Sequence, residues 1–404
     1  METLYYDNEE YDAQLKRTMA AAYAGAADLG EVLVVASRAS AGDPDDWYKK
    51  WSDAALRAEA LAKAAGGHRE STIGAWLRAM EYWRQAFFFI RGDLDDHRLQ
   101  TAWHAHRAAF RSALKLMPYR STIGEIPLGA GKMACYHLRQ PGPDGPRPTI
   151  ILIPGYDSTA ESAFSETAWM ALARGMNVFQ FEGPGQGGML YDQRIPMRPD
   201  FEAALVPAID WLIAQEGVAA DRLVLVGRSL GGYLAPRGAA HEHRLAALVC
   251  DPGQYEFVSR VKTMLLPHAL PKSWGEAAWD RILASDPIAD EVLQQALKLP
   301  SMETMLAPRM ATQGAKTVGD FLRMQAEYTL EGHAGQIRCP TLVVDCEGDF
   351  ASQSDMLFAA LTCDKKLLKL GAESGAGGHC GGMGQQVWAG AVFPWIADTL
   401  AWRR

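Results

Sequence analysis

A serine between glycines is the residue of this chain best suited to act as a nucleophile. Residues 221–234 read DRLVLVGRSLGGYL, in which the apolar run 223–226 predicts a strand and the residues from 230 predict a helix. The G-x-S-x-G pattern places Ser229 in a tight turn between strand and helix, with its hydroxyl clear of the backbone. Small neighbours are needed because such a turn brings chain segments close together. We expect Ser229 to be a catalytic nucleophile; the alternative is a buried glycine turn.

A nucleophilic serine needs a base that takes its proton and an acid that orients the base. After a strand–turn–helix serine the chain order is serine, acid, histidine. Asp349 follows the predicted strand 340–346 and the turn glycine Gly348. His379 lies in the loop GAESGAGGHCGGMG, between the predicted strand 366–370 and the last predicted helix. We predict Asp349 as the acid and His379 as the base. The alternatives are that Asp349 is a solvated aspartate of the turn and that His379 is a mobile loop histidine.

Three other carboxylates compete for the role of the acid. Asp345 still lies within the predicted strand, and Glu347 precedes the turn. Asp251 ends the predicted strand 246–250 and is the more distant alternative. Asp349 is preferred because it lies just beyond the turn glycine.

The charge that develops on a substrate oxygen needs two N–H donors. The N–H of Leu230, at the start of the helix, is one candidate. Tyr156, in the loop PGYDS after the predicted strand 149–153, is the other. The carboxylate of its neighbour Asp157 would oppose the developing negative charge, unless Asp157 is protonated or acts on the substrate. The alternative to a functional role is that Asp157 forms an Asx turn. Ser158-x-x-Glu161 has the pattern of a helix capping box.

The order of predicted elements indicates an α/β fold. Eight strands are predicted at residues 123–127, 133–138, 149–153, 177–181, 223–226, 246–250, 340–346 and 366–370. The first two form a hairpin, and the others alternate with helices, which predicts a mainly parallel sheet covered on both faces. Residues 254–335 interrupt the alternation with helical stretches and are interpreted as a lid insertion. The catalytic domain is therefore predicted to span residues 119–404.

Residues 1–118 predict a helical N-terminal domain. Apolar residues recur at helical spacing in two stripes, one formed by Trp47, Trp51, Ala54, Ala58 and Leu61 and the other by Trp76, Met80, Trp83, Phe87 and Ile90. Such stripes are typical of a packed core. They could also roof an active site, and a site near many tryptophans would suit a flat, polycyclic substrate.

Composition limits the partners. The 404 residues carry a net charge of -8, which disfavours nucleic acid and anionic membranes as partners. The first residues lack a secretory signal, no apolar run approaches the ~18 residues of a membrane span, and the six cysteines include no C-x-x-C pair. We expect a cytoplasmic protein with reduced thiols. The pairs His104/His106 and His241/His243 point to different sides of a helix, so no metal is predicted, and no cofactor.

Taken together, AWLRAMEYWRQAFFF, PGYDST, FEGPGQG, GRSLGG and GGHCGG resemble a group of α/β hydrolases. The group includes the 2,6-dihydroxypseudooxynicotine hydrolases of nicotine breakdown and the fungal hydrolases that shorten a heptaketide in pigment synthesis. The resemblance covers most of residues 43–400. It implies the α/β-hydrolase fold and a serine triad that acts on carbon–carbon bonds next to ketones. It also matches Asp157 to a glutamate that is thought to assist catalysis in the nicotine enzymes.

The predicted function is therefore serine hydrolysis of a carbon–carbon bond next to a ketone, in a polyketide-like or aromatic diketone substrate. The alternative function uses the same triad on a different bond. The protein would then be an ester or thioester hydrolase, an acyltransferase or a cyclase. The aromatic N-terminal helices make a homodimer plausible.

Overall fold

An eight-stranded sheet forms the centre of the computed structural model, which describes residues 3–142, 145, 147–266, 270–275, 277–296, 298 and 300–402. The strands are β1 Arg120–Leu128, β2 Gly131–Arg139, β3 Thr149–Ile153, β4 Asn177–Phe181, β5 Leu223–Arg228, β6 Ala247–Asp251, β7 Thr341–Cys346 and β8 Lys365–Leu370. Their spatial order is β1-β2-β4-β3-β5-β6-β7-β8. Strands β1 and β2 pair antiparallel, β2 pairs antiparallel with β4, and the remaining pairs are parallel. The predicted α/β architecture is confirmed.

In the described part of the chain, five α-helices precede the sheet: α1 Glu9–Ala21, α2 Leu29–Ala36, α3 Pro44–Ala64, α4 Arg69–Phe87 and α5 His97–Leu114. Asp43 caps α3, since its carboxylate accepts the N–H groups of Asp45 and Asp46 at 3.0 Å each. Pro44 suits the first position of the helix because no partner for a backbone N–H is needed there. The prediction of a helical N-terminal region is confirmed.

The aromatic stripes of these helices form core. Trp47, Trp51 and Trp103 are fully buried in one apolar cluster that joins the N-terminal helices to one face of the sheet. Leu61 was expected on the same stripe, and this expectation is wrong: Leu61 is 52% exposed. The buried face of α3 continues from Ala58 to Ala62, one helical step of four residues, and Leu61 falls beside it.

Further helices cover the sheet and its carboxyl edge. On the sheet lie α6 Trp169–Ala173, α7 Gly187–Tyr191, α8 Glu202–Ile213 and α9 Gly231–Ala239. The insertion contains α10 Ala277–Leu283, α11 Pro287–Ala296, α12 Pro300–Gln313 and α13 Val318–Gln325, after a short helical segment at residues 258–265. Helices α14 Ser354–Ala360 and α15 Gln385–Thr399 complete the fold. The insertion has an apolar cluster of its own, which includes Trp279, Ile282 and Leu322.

None of the helices in the described part of the chain is both long and apolar enough to cross a membrane.

A matched pair of substitutions in α3 tests this packing. Trp51→Ala should lower the free energy of unfolding by about 3–5 kcal/mol, because it leaves a cavity in the core. Leu61→Ala, on the exposed side of the same helix, should change it by no more than about 0.5 kcal/mol. Urea unfolding followed by circular dichroism measures both. Equal losses would contradict the assigned faces of α3.

Candidate active site

The turn between β5 and α9 holds Ser229 in a strained backbone conformation. Its φ is 56°, in the left-handed region that non-glycine residues rarely adopt. The serine N–H donates to the carbonyl of Asp251 at 2.7 Å, which fixes the turn against β6. A Cβ at Gly227 would lie 1.9 Å from the carbonyl oxygen of Gly231, so this position has room for glycine only. The sequence pattern therefore reflects real crowding at the turn.

Ser229, His379 and Asp349 are joined by two hydrogen bonds. The imidazole Nε2 lies 2.8 Å from Ser229 Oγ, and Nδ1 lies 2.8 Å from Asp349 Oδ1. With the proton on Nδ1, the ring donates to the carboxylate and accepts from the serine hydroxyl. This is the geometry in which an imidazole can remove the hydroxyl proton.

Asp349 is held as a carboxylate. Its Oδ1 also accepts the N–H of Ala351, and its Oδ2 accepts the N–H of Cys380, each at 2.9 Å. Burial alone would raise the pKa of Asp349, but the hydrogen bond and charge of His379, together with these N–H donors, hold the pKa below its ordinary value. The carboxylate of Asp349 is therefore negatively charged when His379 becomes protonated.

The three rival carboxylates have other partners. Asp345 accepts the hydroxyl of Ser352 at 2.6 Å. Glu347 accepts the N–H of Ala372 at 2.8 Å. Asp251 is fully buried and pairs with Arg228 at 2.9 Å. None of the three is bonded to His379 among the described residues.

The N–H groups of Leu230 and Tyr156 donate to no other described residue. Leu230 follows the serine, and Gly155, which precedes Tyr156, lies against it, since a Cβ at Gly155 would be 3.2 Å from Ser229 Oγ. Leu230 directly precedes α9, so its N–H belongs to the positive end of that helix. The Tyr156 loop is held by Gln186, whose amide donates to the carbonyls of Pro154 at 2.8 Å and Gly155 at 3.3 Å. Gln186 belongs to the stretch FEGPGQG, which thus supports the loop.

Asp157 forms an ion pair with Arg91, which follows α4 and is nearly buried. Burial would raise the pKa of Asp157, but the charges of Arg91 and Arg309 hold it below the ordinary value. The Asx-turn alternative is wrong, because among the described residues the carboxylate accepts from Arg91 and from no backbone N–H. The positive charge of Arg91 offsets the negative charge of Asp157. Asp157 is therefore not an unpaired negative charge beside the N–H groups of Leu230 and Tyr156.

The capping box expected at Ser158-x-x-Glu161 is also wrong. Glu161 is buried against Arg107 at 2.9 Å and the hydroxyl of Tyr136 at 2.6 Å. The reciprocal capping pair lies one residue later, where Thr159 and Ser162 exchange side-chain to backbone hydrogen bonds of 3.0 Å. A buried arginine outcompetes a helix N–H for the carboxylate, and the sequence pattern contains no sign of that arginine.

Arg228 is the site residue that the sequence analysis missed. Its guanidinium binds Asp251, the carbonyl of Cys380 and the side chain of Gln385, and it lies over the ring of Trp388 at 4.3 Å. The sequence did contain a signal for Arg228, because it places a charged residue at the end of a fully buried strand. A charge in that position requires a buried partner.

The insertion contributes polar groups that sequence patterns did not indicate. The amide of Gln254 donates to the carbonyl of Ser229 at 2.5 Å, and Arg260 donates to Gln254 Oε1 at 2.8 Å. Phe350 lies against the imidazole of His379, with the ring centres 4.7 Å apart. Trp47, Trp51, Trp103 and Trp388 are fully buried packing residues, so these four tryptophans give no support to a flat substrate.

Asp349, His379 and Cys380 are the group of described residues whose ligand atoms, within 4.8 Å of one another, could in principle hold a metal ion. Burial raises the pKa of the Cys380 thiol, which disfavours the thiolate that a metal would need. The two other groups already bind each other.

Comparisons with known proteins agree with this architecture. The model of the alpha/beta hydrolase family matches residues 150–383. The 20-hydroxy-prefusarin hydrolase FUS2 of Gibberella moniliformis is 31% identical over 94% of this chain and 93% of its own length. Hydrolase LUC6 of a Fusarium species is 30% identical over 95% of this chain and 94% of its own.

A solved structure shows the same fold. The 2,6-dihydroxy-pseudo-oxynicotine hydrolase superposes with a TM-score of 0.71, at 22% identity, over 95% of both chains. The resemblance inferred from the sequence is therefore confirmed. With a family match over more than half of its length and relatives that share nearly all of it, the chain belongs to the alpha/beta hydrolase family and is an enzyme of that family.

Proposed function

We propose that the chain is a serine hydrolase that cleaves a carbon–carbon bond next to a ketone, in a polyketide-like or aromatic diketone substrate. Ser229 is the nucleophile, His379 the general base and acid, and Asp349 the group that orients His379. The N–H groups of Leu230 and Tyr156 hold the oxyanion. The observation that carries the proposal is the imidazole of His379, bonded at 2.8 Å on both sides to a strained serine and a buried carboxylate.

In the first half-reaction, Ser229 Oγ bonds to a substrate carbonyl carbon as its proton passes to Nε2 of His379. The carbonyl oxygen becomes negative and accepts hydrogen bonds from the two free N–H groups. When the tetrahedral intermediate collapses, the carbon–carbon bond breaks, and its electron pair leaves as the enolate of a ketone. The imidazolium returns the proton to that carbon, and an acyl-enzyme ester remains.

In the second half-reaction, water gives a proton to Nε2 and attacks the ester. Ser229 then leaves with that proton, and a carboxylic acid is released. The net reaction consumes one diketone and one water and gives one ketone and one acid. Asp349 keeps its negative charge throughout and stabilises the imidazolium in both halves.

Asp157 is proposed to act on the enol form of the diketone. Arg91 binds its Oδ1, and Oδ2 has no partner among the described residues. The side chain is 27% exposed and acts electrostatically with His379. A carboxylate oxygen in this position can accept the enol hydroxyl, and the charge of Arg91 keeps it ionised. The name 20-hydroxy-prefusarin hydrolase supports hydrolysis as the reaction type.

Hydrolysis of an ester or thioester, acyl transfer and cyclisation need the same triad and oxyanion donors, so they form the alternative. The cytoplasmic location and the homodimer stay predictions from sequence.

Ser229→Ala should lower turnover by at least ~10³, because no other group forms the acyl-enzyme. The measurement is mass spectrometry of the products from a p-nitrophenyl ester and an aryl β-diketone. Cleavage of the diketone that is lost in the variant would support carbon–carbon hydrolysis. Turnover of the ester alone would favour the alternative, and near-normal activity of the variant would exclude Ser229 as nucleophile.

Asp349→Asn and Asp251→Asn separate the proposed acid from its buried rival. Asp349→Asn should lower turnover by about 10³–10⁴, because the imidazole loses the partner that fixes its tautomer. Asp251→Asn should instead lower the free energy of unfolding by about 3 kcal/mol, since it leaves the buried Arg228 charge unpaired. It should retain at least about tenfold more turnover than Asp349→Asn. Steady-state kinetics and urea unfolding measure these effects, and the reverse ranking would reassign the acid.

Asp157→Ala should reduce diketone cleavage by about 10², the range of a lost proton-transfer partner, and ester hydrolysis by less than about threefold. Asp157→Asn is the matched control, because it removes the charge and retains an oxygen for Arg91. Parallel kinetics on the two substrates provide the test. An equal loss on both would mean that Asp157 has no role specific to carbon–carbon cleavage.

A further inference from the structure

The arginines around Ser229 fall into two groups. Three of them have a carboxylate partner: Arg17 pairs with Glu166, Arg91 with Asp157 and Arg228 with Asp251. The other two, Arg260 and Arg309, come from the lid insertion. Neither has a carboxylate within 4.0 Å among the described residues. Two positive charges near the site are therefore left without an ion-pair partner.

Arg260 is separated from the nucleophile by one neutral side chain. Its Nη1 donates to Gln254 Oε1 at 2.8 Å, and the Gln254 amide donates to the carbonyl of Ser229 at 2.5 Å. Its Nε is buried and has no hydrogen-bond partner. Burial lowers the pKa of Arg260, and the nearby positive charge of Arg309 lowers it further. A buried, unbonded donor on a cation is costly and favours an acceptor that carries negative charge.

Arg309 approaches from α12 on the side of the Tyr156 loop. Its guanidinium lies 5.9 Å from the centre of the Tyr156 ring, whose hydroxyl donates to the Arg309 carbonyl at 3.5 Å. Its Nη1 donates only to the carbonyl of Met305, within the same helix. Glu10 and Asp157 attract the guanidinium from beyond ion-pair distance, and Asp157 is already bound to Arg91.

These two cations repel one another across the site, in a chain whose net charge is -8. Asp349 and Glu256 attract Arg260 from beyond ion-pair distance, and Asp349 is already bound to His379. An anionic ligand in direct contact with both guanidinium groups would offset their repulsion. Arginine suits a delocalised oxygen anion, because its planar donors match two oxygens at once.

We propose that Arg260 and Arg309 form an anion subsite on the lid side of Ser229, which binds a negatively charged, delocalised oxygen group of the substrate. This proposal rests on the proposed function, since it concerns the substrate of the same serine. The group is either a carboxylate or the ionised enol of an acidic diketone unit other than the one that is cleaved, whose enol keeps the hydroxyl for Asp157. Both groups present two oxygens that share one negative charge. The substrate class is therefore an anionic diketone or keto acid, bound with its charge toward the lid.

Direct binding tests the subsite without hydrolysis. Calorimetry on Ser229→Ala would use two matched pairs of probes: phenylbutyrate with neutral phenylbutyramide, and dimedone, which is ionised at neutral pH, with its neutral methyl enol ether. The charged member of at least one pair should bind about tenfold more tightly than its neutral partner, and less tightly as salt is added. The pair that shows the preference identifies the carboxylate or the enol. Equal affinities within both pairs would overturn the proposal.

Three variants in the Ser229→Ala background locate the binding group. Arg260→Gln and Arg309→Gln should each weaken binding of the charged probe about tenfold and leave the neutral probe unchanged. Arg309→Lys, which keeps the charge, should retain part of the affinity. Lys262→Gln is the matched control, because it removes one positive charge from an exposed position of the same insertion. An equal loss in Lys262→Gln would show a general charge effect and overturn the assignment.

The binding measurements on Ser229→Ala do not depend on which bond the unsubstituted enzyme cleaves. If the unsubstituted enzyme fails to hydrolyse either test substrate and Ser229→Ala still prefers the anion, the proposed function fails and the subsite stands. If hydrolysis is observed and the anion preference is absent, the subsite alone fails.

Discussion

The buried ion pair between Arg228 and Asp251 is the interaction on which the rest of the site depends. Arg228 immediately precedes Ser229, and Asp251 ends the neighbouring strand. A charge at this depth must be paired and hydrogen-bonded, because burying it unpaired costs several kcal/mol. The guanidinium meets this demand with groups from four segments: Asp251, the carbonyl of Glu166, the carbonyl of Cys380 and the side chain of Gln385.

This pair links the position of His379 to that of Ser229. Cys380, whose carbonyl binds Arg228, directly follows His379 and also donates its N–H to Asp349. Asp251 contributes its carbonyl to the N–H of Ser229 and its carboxylate to Arg228. Ser229, His379 and Asp349 are thus all connected to the buried pair of Arg228 and Asp251, either directly or through Cys380. None of these bonds involves the insertion, whose Gln254 contacts the serine separately, through the carbonyl of Ser229.

The sequence predicted the parts of the site that depend on local patterns. The serine turn was predictable because crowding at Gly227 restricts the residue type, and the placement of Asp349 and His379 beside it followed from strand order. The sheet and its helices were predictable from hydrophobic periodicity. Contacts over long sequence distances were not: the bond of Arg91 to Asp157 spans 66 residues, and no pattern indicates it. The capping box failed for the same reason, since Glu161 is taken by an arginine from α5.

Leu61 illustrates a second limit. Helical spacing defines a face only to within about one residue, and at the end of α3 the partners that decide burial lie on other helices. The tryptophans illustrate a third limit. Composition shows that large apolar side chains must be buried, but it does not show which residues they pack against. Trp388 covers a guanidinium under the active site, a role that no count of tryptophans could indicate.

The charges that distinguish substrates come from outside the sheet. Asp157 lies on the loop after β3, with Arg91 from the N-terminal helical region on one side and Arg309 from the insertion acting on it from the other. An aspartate is one methylene shorter than a glutamate, and the nearly buried Arg91 reaches it, so the shorter side chain still has a partner. That arrangement offsets the negative charge beside the N–H groups of Leu230 and Tyr156. In the proposed subsite, Arg260 and Arg309 are then the groups that bind the charge of the substrate, and both lie in the insertion and not in the sheet.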